Sequence, residues 1–224
     1  MKKPAVLWIV AGVCIALAVA VVLDLERRQK LARLVGADMH AASEQLSARV
    51  ASDVRRCGPA ASRADIGNLS DAFIAVESLG AGWVERIVEA WLVRAGRLTG
   101  LALPDISIGP GQVRISTAVA AAQWAAVHHR DLLRLSKQEV MERLLSVCGS
   151  RRLVVRVLEM LIDKGGLGDG SLDRQSIARL ARLYNGQETI DGNEAAIANH
   201  LYRELVYHVY QSLRFRRAAI ASPA

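Results

Sequence analysis

The sequence predicts an all-α protein: an N-terminal transmembrane helix, a helical stalk, and then a compact helical domain. Three observations predict it. Apolar residues recur at three- and four-residue intervals, and the alternation of half-buried strands is almost absent. Aromatic residues are scarce while Ala, Leu, Val and Arg are plentiful. The stretch from Pro4 to Leu23 is uninterrupted and apolar, matching the roughly 20 residues that a spanning helix needs.

The elements follow in chain order. Lys2 and Lys3 precede the apolar run, which is longer than the roughly 7–15 residues of a secretory h-region. Residues 1–23 therefore read as a retained signal anchor, although "ALAVA" also offers a cleavage site. Residues 24–57 read as a charged stalk, with Leu31, Leu34, Val35, Met39, Ala42, Leu46 and Val50 on one helical face. Gly58 and Pro59 break that helix. Residues 58–216 form the compact domain and 217–224 a tail.

Within the domain, Leu69, Phe73, Val76 and Leu79 share a face. So do Trp83, Ile87, Trp91 and Leu98 on the next helix, where Trp83 and Trp91 read as core in preference to a sugar-stacking platform. Pro104, Gly109, Pro110 and Gly111 mark a loop. A small-residue helix capped by Ser116 or Thr117 follows, and its alanines predict a central position. Ser136 and Glu139 have capping-box spacing, and Ser150 reads as the next cap. A shorter helix closes at Asn185-Gly186. The last one places Tyr202, Val206, Val209 and Tyr210 at helical spacing.

Charge and cysteines bound the partners. The formal net charge of +7 favours an anionic partner. No basic run is interleaved with aromatics, so a nucleic-acid groove is not indicated. The adjacent pair His128-His129 faces two directions on a helix, and no metal site or cofactor motif is expected. Cys57 and Cys148 are either one disulfide in an oxidising compartment or two buried thiols. Basic residues flank both ends of the apolar run. Their count favours a cytoplasmic body, whereas the short "MKK" start favours translocation.

Glu77 is the acid of interest. It lies in "AFIAVESLG", on a helix otherwise apolar around it. Ionising a buried carboxylate there is costly, and a neutral carboxylic acid is what protonating a glycosidic oxygen requires. The plainer reading is a partly exposed Glu at a helix end. Glu85, Glu89 and Asp105 are competing acids, with Asp105 ranked second.

Glu77-Ser78, then "GPGQVRISTA" from Gly109 to Ala118, then "LYNG" around Tyr184-Asn185 form an ordered series. The series resembles the lysozyme-like superfamily, specifically lytic transglycosylases of the soluble and goose-lysozyme type. Their signature runs E-S, then G-x-x-Q-x-x-P-x-T-A, then A-Y-N. Ile115 stands where the family has Pro, and a helix with two tryptophans separates Glu77 from the glycine turn. The resemblance spans Leu69 to Tyr210.

The resemblance implies a lysozyme-like helical domain on the periplasmic side of a bacterial inner membrane, acting on peptidoglycan glycan strands. It implies Glu77 as the single acid and base. Ser78, Ser107, Gln112 and Thr117 would contact the saccharide. Gly109 and Gly111 would admit it close to the backbone, Tyr184 would orient Glu77 or the substrate's acetamido group, and Asn185 would position that segment. Two other readings stand beside it. One is a degenerate domain binding glycan or an envelope protein partner. The other is a peptidoglycan glycosyltransferase, disfavoured because its E-D and S-T-x-x-Q-Q stretches are absent.

Overall fold

A computed structural model of the chain describes residues 38–58, 63–79, 83–100, 103–128, 135–167, 172–185 and 193–221. The apolar run at 4–23, the first part of the stalk and Gly186 lie outside them. Among the described residues no helix is long and apolar enough to cross a membrane.

The described chain is all-α apart from one small hairpin. Its helices are α1 (Met39–Val54), α2 (Ala64–Glu77), α3 (Trp83–Thr99), α4 (Ile115–His128), α5 (Lys137–Leu144), α6 (Val147–Lys164), α7 (Arg174–Tyr184) and α8 (Asn193–Ala221). Strands β1 (Ser107–Ile108) and β2 (Val113–Arg114) pair antiparallel between α3 and α4.

Helix α2 is the centre. Every residue from Ile66 to Glu77 is buried, as α1, α6 and α8 pack around it. Its central place corrects the expectation for the alanine-rich helix. That helix, α4, buries one stripe of Ile115, Ala118, Ala121, Ala122 and Ala125 against α6, while Val127 on its other side is exposed. Small residues let α4 lie close to its neighbour but supply little apolar area to surround.

The predicted stalk is partly core. Leu46, Val50 and Val54 join the same apolar cluster as Phe73 and Val206, with α1 packed on α2 and α8. An apolar stripe on a lone helix needs a partner, and α1 finds it within the domain. The domain therefore begins by Met39 rather than at residue 58. Its far end also moves, because α8 runs to Ala221 and Arg217 bonds Asp71 across the core at 2.7 Å.

Local signals fixed the other helix starts. Ser136 and Glu139 form a reciprocal capping box on α5. Ser146, not Ser150, caps α6, through a bond from the Gly149 amide. The apolar face expected on α3 is turned outward: Ile87, Trp91 and Leu98 are exposed, the last at 86 %. Glu89 and Val93 face inward instead.

Two long-range ties hold α6 in place. Cys57 and Cys148 are disulfide-bonded across 91 positions. Beside them, Arg151 grips Asp71 at 2.6 and 3.2 Å and donates to the Gly58 carbonyl at 2.6 Å. Breaking a buried pair of this kind costs about 3–5 kcal/mol.

Candidate functional site

Glu77 is the last residue of α2 and is buried, at 5 % exposure. Its Oε1 accepts a 2.6 Å hydrogen bond from the Tyr202 hydroxyl on α8. Phe73, one turn before Glu77, lies beside both Tyr184 and Tyr202, with ring centroids at 4.4 and 6.4 Å. The carboxyl therefore ends an apolar helix against aromatic rings, with a hydroxyl fixing one oxygen.

Ser78 follows as the C-cap of α2. Its Oγ donates to the carbonyl of Pro110 at 3.1 Å. This bond joins the Glu77 segment to the tip of the hairpin. In that hairpin Ile108 faces Val113, so residues 109–112 form the turn, closed by the Gln112 amide donating to the Gly109 carbonyl at 2.9 Å. Gly109 has φ +78° and Gln112 φ +45°, a left-handed conformation costly for a residue with a side chain. A side chain at Gly109 would also overlap the Leu144 carbonyl.

Four helices contribute side chains to this turn. Ser78 comes from the end of α2. From α3, Glu89 accepts the Gly109 amide on Oε2 and the Gln112 side-chain amide on Oε1, both at 2.8 Å. From α6, Ser150 Oγ accepts the Gly111 amide at 3.1 Å. From α7, the Tyr184 hydroxyl donates to the Gly111 carbonyl at 2.6 Å. Over-determination of this kind is what keeps a left-handed residue in place. A Cβ on Gly111 would press on Val154, Ser150 and Tyr184, so both glycines are set by packing.

These contacts correct the expected roles. The amides of Gly109 and Gly111 are engaged by Glu89 and Ser150 rather than offered to a sugar. Gln112 points its amide to Glu89 and to the Gly109 carbonyl. Tyr184 holds the turn, and Tyr202 holds Glu77. Asp105 accepts the Ser116 amide and hydroxyl at 2.8 and 2.7 Å, which makes it the side-chain cap of α4. Those bonds hold its carboxyl below the ordinary range, so it stays ionised and is ill suited to donate a proton.

The other expected residues lie at the margins. Ser107 is half-buried at the base of the hairpin, opposite Arg114. Thr117 is in the first turn of α4, and Asn185 ends α7 with φ −78°, in the right-handed region rather than a left-handed cap. Ser78 and Tyr184 thus both bond the Gly109–Gln112 turn, with Ser78 next to Glu77 in the chain, while Asp105, Thr117 and Asn185 lie at helix ends.

Sequence reasoning gave Tyr202 and Ser150 no role at this site. Each carried a signal, since a tyrosine or serine on a buried helical face must find a hydrogen-bond partner. Glu89 was visible only as a competing acid. Burial pushes its carboxyl above the ordinary glutamate value, and the nearby Glu85 adds to this, while its two N–H donors and Arg86 pull the other way.

The site is therefore a buried carboxyl on an aromatic wall beside a rigid, multiply braced turn. Such a carboxyl can exchange a proton with a group brought within hydrogen-bond reach. Among the described residues, no cluster of His, Cys, Asp and Glu could hold a metal ion. No family model, curated protein or solved structure matches this chain.

Proposed function

We propose that the protein is a lytic transglycosylase with a lysozyme-like helical domain. In this reading residues 1–23 anchor it in the bacterial inner membrane, and the domain works on peptidoglycan strands on the periplasmic side. The observation that carries it is the Glu77 carboxyl, held by Tyr202 at 2.6 Å and followed by Ser78, which hooks the glycine turn. The Cys57–Cys148 bond agrees with an oxidising compartment.

The chemistry needs one carboxyl group. Glu77 gives its proton to the leaving glycosidic oxygen as the bond from C1 of N-acetylmuramic acid breaks. The substrate's acetamido oxygen bonds C1 and shares the positive charge. The Glu77 carboxylate then takes the proton from the 6-hydroxyl as that oxygen attacks C1 and displaces the acetamido oxygen, whose bond to C1 breaks. A 1,6-anhydro end forms and the acid is restored. No cofactor enters these steps.

Zymography on purified peptidoglycan tests the reading, comparing the wild-type protein with Glu77→Gln. Wild-type protein should clear the gel and release 1,6-anhydro ends, and the variant should lose about 10²–10⁴-fold of that rate. No clearing by wild-type protein would remove the lytic reading. Equal clearing by both would move the acid elsewhere.

A second reading, a catalytically degenerate domain that binds glycan or an envelope protein partner, is favoured by one observation that bears on its degeneracy. The Gln112 amide, expected to read a sugar, is already committed to Glu89 and Gly109. Co-sedimentation with peptidoglycan in the absence of clearing would select it.

A further inference from the structure

Glu89 is a buried carboxylate that the proposed reaction leaves without a role. It is 7 % exposed and its two oxygens each accept an N–H from the same four-residue turn. One donor is the backbone amide of Gly109, at φ +78°. The other is the side chain of Gln112, at φ +45°. Charge-assisted bonds of this kind are about twice as strong as neutral ones. They lock the two left-handed residues that bracket Pro110 and Gly111. Pro110 in turn accepts from Ser78, the residue after Glu77.

We propose that Glu89 is a positioning residue for the reaction at Glu77, acting as a carboxylate clamp on the Gly109–Gln112 turn to which Ser78 is hooked. The inference rests on the lytic reading and adds to it a residue that touches no substrate. The chain of contacts is continuous: Glu89 to Gly109 and Gln112, the turn to Ser78 through the Pro110 carbonyl, and Ser78 to Glu77 through the backbone. The braces on Gly111 are a hydroxyl acceptor, Ser150, and a hydroxyl donor, Tyr184. Among the described residues outside the turn, Glu89 is the side chain that bonds both left-handed ends. Replacing its carboxylate by an amide of the same shape sets an NH₂ against a donor, either the Gly109 amide or the Gln112 side chain. One bond is lost while volume is kept.

The test uses the full chain in detergent micelles, as wild type, Glu89→Gln and Glu89→Asp. The first readout is the ¹H–¹⁵N spectrum. In the wild type the Gly109 amide and the Gln112 side-chain NH₂ should be shifted downfield by the carboxylate. In both variants these signals should move upfield while signals from α8 stay in place, a pattern that general unfolding does not give. The second readout is peptidoglycan turnover. It should fall about 10²-fold in both variants, the loss that a misplacement of about 1 Å produces, with the product still a 1,6-anhydro end.

The failures separate. Unmoved Gly109 and Gln112 signals in Glu89→Gln would overturn the clamp whatever the activity. Moved signals with undiminished turnover would overturn the positioning role while leaving the lytic reading intact. Wild-type protein that shows the downfield signals but clears no peptidoglycan would remove the lytic reading, and with it any reaction for Glu89 to support.

Discussion

The Tyr202 hydroxyl meets the Glu77 carboxyl at 2.6 Å although 125 positions separate them in the chain. Both groups are buried, and Phe73 lies beside the Tyr202 ring. Tyr202→Phe removes only the hydroxyl and leaves the ring packing. It should destabilise the fold by about 1–3 kcal/mol, the penalty of leaving a buried polar partner short. Peptidoglycan turnover should fall with it, while Tyr184→Phe should act through the turn. Urea midpoints and turnover of the two variants, measured side by side, check this.

The disulfide should carry much of the stability. Closing a loop of this length corresponds to about 4–5 kcal/mol in the chain-entropy account. The double variant Cys57→Ser with Cys148→Ser, or wild type kept under strong reductant, should show a clearly lower denaturant midpoint. An unchanged midpoint would mean that the bond is dispensable.

Arg151→Met should be the more damaging core change, at about 3–5 kcal/mol. It leaves Asp71 buried with the half-exposed Arg217 as its one cation among the described residues. Arg217→Ala should cost less, because Arg151 still grips both carboxylate oxygens. Equal losses from the two substitutions would contradict this ranking.

Glu89 and Asp105 should give opposite pH dependence. Burial outweighs the two N–H bonds and raises the Glu89 carboxyl in the folded state, so its ionisation costs stability even though the carboxylate holds the turn. Its contribution to stability is therefore fully present below the ordinary glutamate pKa and is lost as pH rises through the raised value. The Asp105 carboxyl is lowered by its bonds to Ser116. Its contribution is present above the ordinary aspartate pKa and is lost as pH falls through the lowered value. Glu89→Gln should remove the first slope and Asp105→Asn the second, in urea midpoints taken across the acidic range. As a cap, Asp105 should contribute about 0.5–2 kcal/mol to α4 and nothing to catalysis.

Much of the fold was legible because helices are local objects. The period in Tyr202, Val206, Val209 and Tyr210 named the buried face of α8. The spacing of Ser136 and Glu139 named the start of α5. The errors came where one pattern fits two environments. The stripe Ile87, Trp91 and Leu98 looks like a core face, yet α3 turns it outward and buries Glu89. The stripe Ala42, Leu46 and Val50 looked like a stalk, yet it is core. Periodicity says that a face is apolar and not which neighbour covers it.

The sequence by itself determined the helical class, the Ser136–Glu139 capping box and the loop at the Gly-Pro-Gly-Gln stretch, because each depends on residues within one or two turns. Only the tertiary structure decided who holds what. It joined Cys57 to Cys148, gave Glu77 to Tyr202 rather than Tyr184, and made Asp105 a cap. It also gave the Gln112 side-chain amide, expected to read a sugar, to Glu89 and the Gly109 carbonyl. These outcomes depend on how α2, α3, α6, α7 and α8 converge. Partners that far apart in the chain are selected by burial, which demands that every enclosed polar group be satisfied and leaves no short-range mark of which partner will do it.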